Sequence, residues 1–87
     1  MKKTLHQKVV VAANKPLELE YFLLKNEMDF EGGKITVYGI EVSKNHEEIK
    51  SIIDISSDKN KAQEILHTLA ENTVTPISLI DVLEDII

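Results

Sequence analysis

The spacing of apolar residues changes once along the chain, between Ser56 and Asp58, and this change constrains the fold more than any other feature. Before it, apolar side chains recur at every second residue, as on half-buried strands. After it they recur at i, i+3, i+4 and i+7, as on amphipathic helices. Strands followed by helices predict α+β architecture. The links between the strands are too short for a parallel crossover, so the sheet is expected to be antiparallel.

Within the first half, Val9-Val10-Val11 favours a strand and Asn14-Lys15-Pro16 breaks it. Leu17, Leu19, Tyr21 and Leu23 then share one face, while Phe22 and Leu24 make the far end apolar on both faces. Asn26 to Lys34, with Asp29 and Gly32-Gly33, reads as a loop. Thr36, Tyr38, Ile40 and Val42 restore the alternation, and Gly39 on the opposite face marks a bulge or a close backbone contact. Asn45 to Glu48 reads as a polar turn, and Ile49 to Ser56 as a last strand.

In the second half, Asp58 is placed to cap a helix whose stripe is Ala62, Ile65, Leu66, Leu69 and Ala70, ended by Asn72 in a left-handed cap. Thr75 as N-cap, Pro76 at the first helical position and a Val74–Leu79 staple open a second helix. Its apolar arc of Leu79, Ile80, Val82, Leu83, Ile86 and Ile87 spans about 160°, more than a surface helix needs. Asp81, Glu84 and Asp85 share the remainder with Ser78 and Ile77. Glu84 and Asp85 oppose the helix dipole, so something is expected to cover or neutralise this end.

An 87-residue chain makes one domain with a thin stability margin. It has no cysteine, which leaves self-association as the natural reinforcement and excludes disulfides, thiolate metal sites and thiol chemistry. Residues 1–16 form a basic arm of Lys2, Lys3, Lys8 and Lys15, with room for an edge strand; residues 17–87 form the domain, with six lysines against all fifteen acids. Net charge is −5 and arginine is absent, which argues against nucleic acid as partner. No apolar run suits a membrane span or a signal peptide, so a cytoplasmic setting is expected. Asp81, Glu84 and Asp85 could receive the arm's lysines, but a solvated helix face beside a frayed basic tail is the simpler expectation.

Catalytic motifs are absent. No serine lies in a Gly-x-Ser-x-Gly context, and Gly32-Gly33 lacks the rest of a phosphate loop. His6, His46 and His67 share no metal-ligand spacing. His46-Glu47-Glu48 is expected to be a solvated turn, because zinc needs three or four converging ligands. No catalytic, cofactor-binding or metal residue is therefore nominated.

Tyr21-Phe22-Leu23-Leu24, Tyr38-Gly39-Ile40-Glu41-Val42 and Thr73-Val74-Thr75-Pro76-Ile77-Ser78-Leu79-Ile80-Asp81-Val82-Leu83-Glu84-Asp85-Ile86 resemble a family of short Gram-positive bacterial proteins known only as a domain of unknown function. The resemblance spans roughly residues 17–87 and implies a bacterial cytoplasmic protein without supplying a mechanism.

The expected architecture is an antiparallel sheet of three or four strands followed by two C-terminal helices packed on one face. The expected function is a small non-catalytic interaction or regulatory protein, a homo-oligomer or the binder of a protein partner. It would act through a strand edge or through the last helix, at Leu79, Asp81, Val82, Leu83, Glu84, Asp85, Ile86 and Ile87. A ligand pocket between sheet and helices near Tyr21 and Tyr38 is the alternative, and an enzyme ranks last.

Overall fold

The computed structural model describes residues 1–12 and 14–86. Strands β1 (Lys2–Val11), β2 (Leu17–Phe30), β3 (Gly33–Lys44) and β4 (Glu48–Ser56) precede helices α1 (Lys59–Glu71) and α2 (Leu79–Ile86). The strands pair in chain order as an antiparallel meander. This is the expected α+β architecture, with four strands. The basic arm is not a frayed tail: β1 pairs with β2 from Lys2↔Lys25 to Val11↔Leu17.

The core lies between the helices and one face of the sheet. Leu19, Tyr21, Leu23, Ile40 and Val42 meet Ala62, Ile65, Leu66, Leu69 and Ala70 of α1, together with Val74, Leu79 and Leu83. The α1 stripe read from its periodicity is the set the helix buries. Asp58 caps it by accepting the Asn60 N–H at 2.9 Å.

The end of α1 differs from expectation. Asn72 keeps φ −94°, and the left-handed residue is Thr73 at φ 52°. The Thr73 N–H donates to the Ala70 carbonyl and the Val74 N–H to that of Leu69, the two bonds of a Schellman motif with threonine where glycine is usual. The start of α2 differs too. The Ser78 and Leu79 N–H groups donate to the Thr75 and Pro76 carbonyls, so Thr75–Ser78 form a tight turn and the helix begins at Leu79. The Thr75 hydroxyl donates to Ser78 Oγ instead of capping a backbone N–H. Val74 and Leu79, the expected staple pair, are both buried in the core.

Residues 26–34, read as a loop, extend the sheet. Pairing continues through Met28↔Ile35 to Phe30↔Gly33, and the hairpin closes on Glu31 and Gly32, at φ 47° and 81°. The pairing of β1 stops at Lys25 and that of β4 at Tyr38, so residues 26–37 form a two-stranded arm on a molecule 53 Å long. Polar Glu27 and Asp29 hid the alternation from a reading of the sequence.

Gly39 fulfils its expectation. Between Ile40↔Ile52 and Tyr38↔Ser56 the register of β4 shifts, and its backbone crosses over Gly39. A Cβ at that position would overlap the Ile52 carbonyl oxygen and lie 2.6 Å from the Ile53 carbonyl carbon. The Asn26 amide on β2 reaches across to donate to the Ile53 carbonyl at 3.4 Å. This crossing covers the sheet face away from the helices, where Leu24 and Val37 are buried.

Two substitutions check these assignments. Gly39→Ala should lower stability by about 1–3 kcal/mol or more, because backbone must move to admit the methyl group. Thr73→Gly should raise it by about 1 kcal/mol, since glycine meets no Cβ penalty at a left-handed cap. Urea denaturation midpoints report both.

Candidate functional site

Helix α2 divides its apolar arc between core and surface. Leu79 and Leu83 are buried and Val82 packs against the core, so three nominated residues serve the fold. Asp81, Glu84, Asp85 and Ile86 are exposed, and Ile87 lies outside the described residues. Ile80 and Ile77, on the turn ahead of the helix, also face outward, with Ile77 80% exposed. They border an open apolar groove between α2 and β4. Glu48, Ile49, Lys50, Pro76, Ile77 and Ile80 line one end, and Ile52, Asp54, Ile55, Ile80, Leu83 and Glu84 the other. A reading of the helix by itself counts Ile77 among its polar neighbours. Only the approach of β4 makes Ile77 part of an apolar surface.

The space beside Tyr21 is part of the core. Its side chain is fully buried and its hydroxyl donates to the Val74 carbonyl at 2.8 Å. Burial pushes its pKa up to about 12. Tyr38 is half-buried against the same cluster.

The sheet face away from the helices carries charge. Glu41 is buried there, accepting from Ser51 Oγ at 2.7 Å and from Lys3 Nζ at 2.9 Å, while the Lys3 ammonium sits 4.6 Å from the centre of the Phe22 ring. Burial works to raise the Glu41 pKa, but the Ser51 hydroxyl and the Lys3 ammonium together hold it below the usual carboxylate range. Two of the arm's lysines therefore meet the sheet and not the acidic stripe of α2: Lys3 pairs with Glu41, and Lys8 with Glu18 at 2.7 Å.

A second cluster forms where the β3–β4 turn folds beside β2. Asn45 and His46 occupy φ 52° and 59°, and the Glu47 N–H donates to the Lys44 carbonyl, which makes a tight turn with both central residues left-handed inside the three-residue link from Lys44 to Glu48. Asn45 locks it to β2: its N–H donates to the Glu18 carbonyl, and its side-chain oxygen accepts the Glu18 N–H, each at 2.8 Å. His46 Nε2 lies 3.3 Å from Glu18 Oε1 and Nδ1 lies 3.0 Å from Glu20 Oε1. His46 thus meets Glu18 and Glu20, not the adjacent Glu47 and Glu48 that the sequence set beside it. The available signal was the alternation that puts Glu18 and Glu20 on one face of β2. His67 pairs with Glu71 along α1 at 2.9 Å.

These features define a small α+β scaffold with an apolar groove beside its last helix and a titratable cluster on its open sheet face. The chain belongs to a family of unknown function, DUF6514, whose family model matches residues 1–87 and so takes in the basic N-terminal strand. No curated protein and no solved structure matches the chain. No helix among the described residues is long and apolar enough to cross a membrane.

Glu41 sets an acid limit on stability. Its folded pKa lies below its unfolded value, so the ionised carboxylate contributes fully above the ordinary value of 4.5 and progressively less as pH falls through the folded pKa. Glu41→Gln should cost about 1–3 kcal/mol at neutral pH. It should also flatten the loss of stability between about pH 5 and pH 3, as read by thermal melts across that range.

Proposed function

We propose that this is a small, non-catalytic interaction protein of the bacterial cytoplasm that self-associates through the groove between α2 and β4. The observation that supports this reading is the exposed apolar pair Ile77 and Ile80 beside Ile52 and Ile55 of β4, on a chain whose small core leaves little surplus stability. Both strand edges are guarded against simple edge-to-edge pairing. The outer strand β1 carries lysines and a bulge between Leu5 and Gln7, and β4 is bent by its crossing at Gly39. The groove is therefore favoured over strand addition.

A second copy suits the groove because its ends differ in charge. Lys50 lies beside Glu48 at one end, with Asp54 and Glu84 at the other, so one end is neutral and the other carries two acids. An antiparallel two-fold pair brings each lysine toward the partner's acids and closes the assembly at two subunits. It also supplies a cation near the C-terminus of α2, whose last turn has no basic residue.

Sedimentation at tens of micromolar should give a dimer for the native chain. Ile80→Lys should give a monomer with an unchanged melting temperature at low protein concentration, because Ile80 is 40% exposed. A monomeric native mass, unaltered by Ile80→Lys, overturns the proposal.

A further inference from the structure

The Glu18, Glu20 and His46 cluster has the composition of a metal site, and its parts come from two distant segments of the chain. One ligand atom from each residue lies within 4.8 Å of the others. A tetrahedral zinc ion at about 2.0–2.2 Å from each ligand spaces them about 3.4 Å apart, and the set closes when the imidazole, whose Nε2 now faces Glu18 and Nδ1 Glu20, turns to present one nitrogen between the two carboxylates. The backbone beneath it is fixed by the reciprocal Asn45–Glu18 hydrogen bonds. His46 also occupies a left-handed turn position that favours glycine, a local cost that places the imidazole over both carboxylates.

The geometry points to a divalent transition-metal site formed by Glu18, Glu20 and His46, with water completing the coordination. Two carboxylates and one imidazole form a mixed hard and borderline donor set, which suits zinc or manganese better than magnesium. The Lys8 ammonium, 2.7 Å from Glu18 Oε1, supplies compensating charge to the cluster. The metal would displace it, and Lys8 would then act as a competitor that sets affinity. This site is separate from the α2 groove and does not depend on the proposal of self-association.

Calorimetric titration of the full chain with zinc chloride should show one site per chain, with much weaker binding of magnesium. Glu18→Gln, Glu20→Gln and His46→Gly should each weaken zinc binding at least tenfold. His46→Gly leaves an Asn-Gly turn, the most favourable pair at these positions, so this variant tests the ligand with the hairpin intact. Asn45→Ala should cost roughly 10–100-fold through loss of support beneath the ligands. Lys8→Met should tighten binding, an effect that a simple ion-pair cluster would not produce. His67→Ala, which removes the other His–Glu pair, should leave zinc affinity unchanged. Absence of zinc binding in the folded native chain, or binding that survives His46→Gly, overturns the assignment.

Discussion

The hydrogen bond from the Tyr21 hydroxyl to the Val74 carbonyl is the point on which the helices depend for their position. Tyr21 is central in β2, and Val74 is the residue at which the chain leaves the Schellman turn of α1 for α2. A buried carbonyl at a helix–helix connection needs a donor. The tyrosine supplies it while placing its ring in the core. One side chain thereby sets the separation of sheet and helices and the point from which α2 departs. The groove between α2 and β4 inherits its geometry from that contact.

A second constraint acts on the other face of the sheet. With no side chain at Gly39, β4 can cross over β3 and reach Asn26 of β2. The crossing buries Leu24 and Val37 without a second layer of helices, and it bends β4 out of the plane in which another strand could add to it. Stability and protection of the edge thus come from one missing Cβ. Ile52 and Ile55 of β4 stay beside α2 as the wall of a groove.

Much of this was legible in the sequence because it follows from local rules. The α1 stripe, the Asp58 cap and the alternation of β2 and β3 each depend on residues within a few positions of one another, and a glycine inside a strand is itself the local sign of the close contact at Gly39. The errors have equally physical causes. Glu27 and Asp29 look like loop residues, but the hairpin turn at Glu31-Gly32 carries the ladder through them. Thr73 takes the left-handed position that Asn72 is better suited to fill, and α1 thereby runs one residue further before its Schellman turn. The arm's lysines looked free until β1 found its place beside β2, where Glu41 and Glu18 receive two of them.

For the candidate surfaces the division is sharper. By itself, the sequence determined that α2 is too apolar for a plain surface helix and that no familiar catalytic motif is present, since composition and period suffice for both. Tertiary structure alone decided which half of that arc is spent on the core. Burial of Leu79 and Leu83 depends on where α2 lands, and exposure of Ile77 and Ile80 depends on how β4 bends beside it. It also decided that His46 meets Glu18 and Glu20, residues 28 and 26 positions away along the chain. Side chains that far apart are brought together by strand register, and register is a property of the folded sheet.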